Sequence, residues 1–516
     1  MKKVMVLLFA VMMLTSLLVG CKSDAPTDSK KSLGGENYAE SSNHSDDTAV
    51  EGTATNETVK LLYVIPGDEP AELERGLKAV NDKLAEDGVG VEIALKYYAW
   101  DVWDQKINIM LSTGEEFDMF HVMNDRVSLA NYASRGALAD LTPYMDQYGS
   151  AIKAANPELA MKSGQVGGKQ YGIPAFWVES ALNHQATIRV DILNKYNIPM
   201  PTTFEELTNA YEIVLKNWDG PMKPYFPMVG TEQVGGYFFN SDNNYVLYDR
   251  MFYVGQDGSV KNYFETDAFK ESCKNARIWY EKGIINPDVL TTSHDQLDNQ
   301  LASGDWFVHA GTIGDITNIK KNYPNITVDD FAWLDFDTTT PEIRPYGTRN
   351  MQAVPLSSKH PEAAVKFINW LYSNQENYNL FIYGTEGVDY KKLDGTNYEP
   401  IIDESTGQPP YYFAGWMAGN VNFTYTSTNA PKITNEHLYT LDTTAVEGYA
   451  SHFTFDGSSV QTQLADVNTL IAAVIAPMAS GVVDYDAKID EALELLEKAG
   501  IDELVAEFER QLEASK

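Results

Sequence analysis

An α/β fold divided into two lobes is what this sequence predicts, on three observations. Residues 59–97 run strand, helix, strand, the signature of a parallel sheet with helices packed outside it. The chain has 516 residues, and the ~460 that follow a distinctive N-terminal stretch exceed what one compact core holds. Turn residues and capped helices recur to the C-terminus without an internal repeat.

The N-terminal stretch stands apart from the fold. Lys2 and Lys3 precede an uncharged run, Val4 to Val19, that leads into Leu18-Val19-Gly20-Cys21. A basic head, a short apolar middle and a small residue before the cut make residues 1–20 a signal peptide. The run is about 16 residues, short of the roughly 20 that cross a bilayer as a helix. Leu-x-Gly-Cys resembles a lipobox, in which the Cys21 thiol is lipidated and becomes the new N-terminus. Each buried acyl methylene contributes about 0.8 kcal/mol, so two or three chains anchor stably. Residues 22–57 are rich in Ser, Thr, Asp, Asn, Glu and Gly and bury too little to offset their ordering entropy. With Cys21 they form a tether, 21–57, that spans on the order of 30–36 Å as a coil. No later segment reads as apolar enough to span a membrane.

The folded part opens with Val59 to Ile65, a nearly continuous apolar run that fits a strand covered on both faces. Pro66 to Pro70 is a loop. Leu73, Leu77, Val80 and Leu84 mark one face of a helix. Val89 to Tyr97 alternate as a second strand, Val102 to Leu111 form a helix, and Phe117 to Val122 a third, buried strand. Ligands of such sheets bind at the carboxyl ends of the strands, which singles out Gly67-Asp68-Glu69 and Asn124-Asp125-Arg126. Val166-Gly167-Gly168-Lys169 and Gln256-Asp257-Gly258-Ser259 are hairpin turns. Thr203 with Glu206 makes a capping box. Asp267 caps a helix whose buried face holds Phe269, Cys273, Ala276 and Tyr280. Pro361 opens another helix, and the C-terminus is helical on both sides of a break at Gly500.

Chemistry is mostly read by exclusion. Acidic side chains number 73 against 39 basic, a formal charge of -34. A nucleic-acid binder needs a basic face that this chain lacks, and the acidic balance suits a neutral or cationic ligand. With Cys21 lipidated, Cys273 has no disulfide partner. His-Glu-x-x-His, a calcium loop, a phosphate loop and a Gly-x-Ser-x-Gly elbow are all missing, so no metal, cofactor or nucleophile is expected. Aromatic residues in loop-like settings are the positive signal: Trp100, Trp103, Trp177, Tyr237, Phe238, Phe239, Trp306, Tyr346, Tyr411, Tyr412 and Trp416. Sugar rings stack their C–H faces on such side chains while their hydroxyls bond carboxylates, amides and arginine.

Asp118 to Val122 followed by Asn124-Asp125-Arg126, Ser134 to Pro143, Tyr171-Gly172-Ile173-Pro174, Pro199 to Leu207 and Val354 to Ala364 occur in that order. Together they resemble the family 1 extracellular solute-binding proteins, with Phe204 where Trp is usual. Pro477 to Gln511 is similar to the extra C-terminal region of a lipoprotein branch of that family. The resemblance implies a two-lobe, periplasmic-binding-protein-like fold of type II with a ligand cleft between the lobes. It places 58–177 with 338–390 in lobe I and 178–337 with 391–516 in lobe II. It implies a monomer, lipid-anchored on the extracellular face of the cell membrane. Such a protein captures a carbohydrate, an oligosaccharide, and delivers it to the permease subunits of an ABC importer; it is not an enzyme. It points to Asp125 with Arg126 and to Glu179 as sugar contacts, and more loosely to Glu69, Thr312, Tyr346, Arg349 and Trp416. Trp177, just after Gly-Ile-Pro where the chain should cross between lobes, and Asp125, at the carboxyl end of a buried strand, are the leading single expectations, and Tyr237 is a further loop aromatic in the set. A peptide or other small solute as ligand, and a surface glycosidase as function, are the alternatives.

Overall fold

The computed structural model describes residues 58–177, 186–235, 239–334, 336, 337, 339–434 and 444–516. Cys21, Glu179 and Tyr237 lie outside them, as do residues 1–57, where the signal peptide and the tether are expected.

The chain opens with β1 (Val59–Pro66), α1 (Leu73–Glu86), β2 (Val91–Tyr98), α2 (Trp103–Thr113), β3 (Met119–Met123), α3 (Leu129–Ser134) and β4 (Gly172–Pro174). It continues through β5 (Ala186–Arg189), α4 (Phe204–Asn217), β6 (Tyr245–Tyr248), β7 (Phe252–Gly255), β8 (Val260–Asn262), α5 (Asp267–Glu281), α6 (His294–Ser303), β9 (Val308–His309) and β10 (Phe331–Leu334). Then follow β11 (Asn350–Ala353), α7 (Pro361–Leu371), α8 (Gln375–Ile382), β12 (Tyr390–Lys392), β13 (Asn397–Pro400) and β14 (Thr426–Ser427). Helices α9 (Gln461–Leu470), α10 (Tyr485–Ala499) and α11 (Ile501–Ala514) complete the C-terminal region.

The first sheet has the order β2-β1-β3-β11-β4. β1 pairs in parallel with β2 from Val59↔Val91 to Pro66↔Tyr98, and with β3 at Tyr63↔Met119. The apolar run of β1 has the expected cause: Leu61, Tyr63, Val64 and Ile65 are all buried. β11 enters antiparallel between β3 and β4, so Asn350 faces Met123 and Met351 faces Pro174. This lobe therefore needs a strand from much later in the chain. Two further three-stranded sheets, β9-β5-β10 and β8-β7-β6, form around cores separate from that of the first sheet and fall in what is called here the second lobe. The two hairpins expected from their glycines are present, with Val166 opposite Lys169 and Val254 opposite Val260.

Several local expectations are corrected by the packing. Thr266, not Asp267, caps α5: its hydroxyl accepts the Phe269 N–H. Trp279 is the large fully buried residue on that helix, while Tyr280 lies at the edge of the core. Thr203 caps α4, accepting the Glu206 N–H at 3.1 Å, but the Glu206 carboxylate returns to the Thr202 N–H and hydroxyl. Trp103, Phe239, Trp306 and Tyr411 are core residues rather than loop aromatics. The run Gly457–Ala479 is long and apolar enough to cross a membrane, against expectation, yet it buries Val467, Ile471, Ile475 and Met478 in the second lobe's core. Ile471–Ile475 is a π-helical turn; Pro477 has no N–H for the carbonyl four residues back, and widening the turn accommodates the loss.

Residues 391–427 also differ from expectation. Tyr411, Phe413, Met417 and Tyr425 share a core with β1, α1 and α7, so this segment packs on the first lobe. The attachment is specific. The Arg75 guanidinium is paired with the fully buried Asp389 carboxylate, which also accepts the Tyr411 and Thr385 N–H groups. The Tyr411 ring lies so close on α1 that a Cβ at Gly76 would sit 2.0 Å from it. A mid-helix glycine costs up to about 1 kcal/mol relative to alanine, and here it admits the ring.

The C-terminal helices complete the second lobe. Phe508 of α11 contacts Tyr248, Phe252, Phe453 and Phe455, with ring centroids 4.4 Å apart for Phe252. Arg277 of α5 donates to the Gly481 and Val482 carbonyls. The β8-β7-β6 sheet would otherwise expose its aromatic face. Phe508→Ala is expected to cost about 3–5 kcal/mol of stability, read as a lower urea midpoint by circular dichroism; a change below about 1 kcal/mol would mean the C-terminal helices are not part of this core.

Candidate ligand-binding site

The carboxyl ends of β1, β2 and β3 bring three loops to one edge of the first lobe. They carry Asp68 and Glu69, Trp100 and Asp101, and Asn124 to Arg126. Trp100 sits on a short 3-10 turn directly after β2. Its indole stacks on Trp416, centroids 5.9 Å apart and 21° between planes. The Arg126 guanidinium lies 5.7 Å from the Trp100 ring, inside the range of a cation–π contact. Trp416 also makes a T-shaped contact with His121, centroids 5.3 Å apart. His121 is buried in β3, its Nε2 3.2 Å from Asn350 Oδ1. Burial pushes its pKa down to about 3, so the imidazole beside Trp416 is neutral.

Trp177 joins the same group. It follows β4, where Phe176 bridges Asn420 and accepts the Val421 N–H. Its ring lies against the backbone of Gly415 and Gly419, and a Cβ at Gly419 would stand 2.4 Å from it. Gln352 of β11 donates to the Met417 carbonyl and holds this loop to the sheet. Trp100, Trp177 and Trp416 are each partly exposed. Trp100 and Trp416 form a stacked aromatic shelf, and Trp177 packs on the two glycines that bracket Trp416 in its loop.

Charged groups surround the shelf. Asp125 and Arg126 are neighbours in sequence but pair elsewhere. Arg126 donates through Nε and Nη2 to Asp104, at 3.3 and 3.0 Å, and Asp125 faces Arg349 at 3.4 Å. The Asn124 N–H donates to the Arg349 carbonyl, fixing that register. The second lobe meets this edge through α6: the His294 N–H donates to Asp101 Oδ1 at 3.2 Å, and His294 Nε2 lies 3.0 Å from Glu232.

The expected residues fall into groups. Asp125, Arg349, Arg126, Trp177 and Trp416 are brought to one edge. Glu69 is exposed on the β1 loop and acts electrostatically on Tyr97. Tyr346 is buried, edge-on to Tyr248, and lines a cavity of about 20 Å³ with Asn124 and Asp249. Thr312 lies in the second lobe beside Gly311, whose carbonyl accepts the Thr187 hydroxyl. Two residues missing from that set belong to the edge, Trp100 and His294. Trp100 was legible as a loop aromatic after a strand end; nothing local distinguishes His294.

Comparison with known proteins gives the same architecture. Residues 69–378 match the profile of the bacterial extracellular solute-binding proteins, and 449–516 match a domain of unknown function (DUF3502). The chain belongs to the bacterial extracellular solute-binding protein family. A carbohydrate ABC transporter substrate-binding protein of Streptococcus pneumoniae is 29% identical over 458 residues, 86% of this chain and 88% of the relative. Among solved structures, the N-glycan transport solute-binding protein NgtS of Streptococcus pneumoniae, in complex with Man1GlcNAc, superposes with a TM-score of 0.72. Its identity is 22%, over 88% of this chain and 99% of that one. The alginate-binding protein AlgQ2 gives 0.64 at 18% identity, over 89% and 99%. The solute-binding fold is thus the two-lobe α/β fold of type II, as expected.

Proposed function

We propose that this solute-binding protein captures an oligosaccharide between its lobes and hands it to the permease subunits of an ABC importer, held at the outer face of the cell membrane by lipid on Cys21. The observation that carries the reading is the stacked Trp100–Trp416 pair, with Trp177 on the Trp416 loop, at the sheet edge that also carries the Asp125–Arg349 pair. Flat apolar faces beside fixed carboxylates match the two surfaces of a sugar ring. The carbohydrate ABC transporter relative and the glycan complex of NgtS favour the same ligand class over a peptide. Glu69, Glu179, Tyr237 and Thr312 remain candidates for further contacts, with Tyr346 supporting the Asn124 loop from behind. We draw the first lobe as 58–177 with 339–427 and the second as 186–334 with 444–516. The second is completed by the C-terminal region.

A thermal-shift screen of the full-length lipoprotein in detergent, across oligosaccharides and peptides, tests the reading. A saccharide at 100 times its dissociation constant raises stability by about 2.7 kcal/mol, and calorimetry should then give one-to-one binding without turnover. A hydroxyl bond to a carboxylate contributes about 1.5–3 kcal/mol, so Asp125→Ala is expected to weaken that saccharide at least about tenfold. Response to peptides alone, or hydrolysis of the saccharide, would overturn the proposal. For the anchor, Cys21→Ala should appear as unprocessed or released protein in a detergent-partition assay. A processed, detergent-partitioning variant would contradict lipidation at that residue.

A further inference from the structure

We propose that Arg250, at the tip of the hairpin between β6 and β7, is a ligand contact contributed by the second lobe. Its guanidinium donates hydrogen bonds to the oxygens of a saccharide seated at the Trp100–Trp416 edge. The proposal rests on the oligosaccharide reading above and deepens it by one residue.

The hairpin turn is built around an awkward residue. The Met251 N–H donates to the Tyr248 carbonyl at 3.1 Å, just beyond the Tyr248–Phe252 pair. The two central residues are Asp249 and Arg250, with φ of 45° and 64°. A tight turn with positive φ at both positions favours Asn-Gly or Asp-Gly, because glycine takes that backbone without strain. Asp249 suits the first position. At the second, a long side chain stands where glycine would cost least. Formation of the hairpin therefore does not account for the arginine.

The tip lies between two loops of the first lobe. On one side, Asp249 lines the cavity of about 20 Å³ together with Asn124 and Ser128, and Asn124 is the neighbour of Asp125. On the other, Arg250 Nη2 donates to the Glu232 carbonyl at 3.0 Å. Glu232 Oε1 is 3.0 Å from His294 Nε2, and the His294 N–H donates to Asp101, the residue after Trp100. Burial pulls the Arg250 pKa down, Glu232 opposes that, and the cation of Arg126 adds to it, in keeping with this placement.

Arg250 also keeps donors in hand. It is partly exposed, and among the described residues the Glu232 carbonyl is the one hydrogen-bond partner of its guanidinium. The other arginines of this edge are engaged by carboxylates. Arg126 gives Nε and Nη2 to Asp104, and Arg349 pairs with Asp125. A guanidinium has five N–H donors and no acceptor, so most of the Arg250 fork is open to oxygen acceptors. A saccharide presents many of these, in its ring, its glycosidic links and its hydroxyls. Hydrogen bonds from a charged donor are the stronger kind. Asp125 accepts from hydroxyls on the first lobe, and Arg250 supplies the complementary donor from the second.

Calorimetry and thermal melting of the full-length lipoprotein in detergent test the assignment. The probe is the tightest binder among a panel of neutral gluco- and manno-oligosaccharides. Arg250→Gly and Arg250→Asn both remove the guanidinium and both tolerate a positive φ. Each is expected to bind that probe at least about tenfold more weakly, while melting without ligand close to the unmodified protein. Arg250→Lys keeps the charge and loses the planar fork, so its affinity should fall between. The Asn and Lys variants carry the test if the Gly variant does not fold. If Arg250 only braces the Glu232 turn, the variants melt early and the folded protein keeps its affinity; that result would overturn the proposal. Unchanged affinity at an unchanged melting temperature would overturn it too, and leave the oligosaccharide reading standing. Binding of peptides and of no saccharide by the unmodified protein would overturn that reading, and this proposal with it.

Discussion

The pairing of Asn350–Ala353 with β3 on one side and β4 on the other is the constraint on which the rest of the molecule depends. It closes the first sheet with a strand that arrives only after the chain has built most of the second lobe. The packing is close. Gly172 stands opposite Ala353, and a Cβ there would be 2.4 Å from the Met351 sulfur. From this strand come the contacts that build the candidate site. Arg349 precedes it and meets Asp125; Asn350 holds His121 beside Trp416; Gln352 holds the Met417 backbone. A register slip of one residue would turn each side chain to the opposite face and take the site apart.

The second lobe follows a different logic. Its β5 strand buries Arg189 completely, with Asp191 on its fork, the Gly304 carbonyl on Nη1, and the rings of Trp306, Tyr323 and Phe331 around it. Breaking a buried pair of this kind by removing one partner costs about 3–5 kcal/mol, so the arrangement fixes geometry more than it adds stability. The C-terminal region supplies the remainder, a layer of helices over the β8-β7-β6 sheet. Its Phe453 and Phe455 reach the cavity behind Asn124, so the region of unknown function also backs the loop that carries Asp125.

Local patterns were legible in the sequence and long-range partners were not. The apolar run of β1, the 3.6 period of α1 and the glycines of both hairpins report the immediate chain, and the structure holds them nearly where expected. Trp100 and Trp416 lie far apart in sequence, and nothing in either neighbourhood shows that they stack. Asp125 and Arg126 look like a pair because they are adjacent, yet each side chain finds its partner on another element. Tyr411 and Trp306 looked like loop aromatics beside Pro and Asp. Gly76 and the Arg189 cage, both distant, make them core. The edge of the sheet as candidate binding region follows from topology alone, which is why the region is legible in the sequence and its detailed pairing is not.

A crystal structure of the protein with a bound oligosaccharide tests the central claim most directly. The account predicts a sugar ring with its C–H face within ~4 Å of at least one of Trp100, Trp177 and Trp416, and a hydroxyl on the Asp125 carboxylate. A saccharide seated elsewhere, with all three indoles covered only by protein, would contradict it.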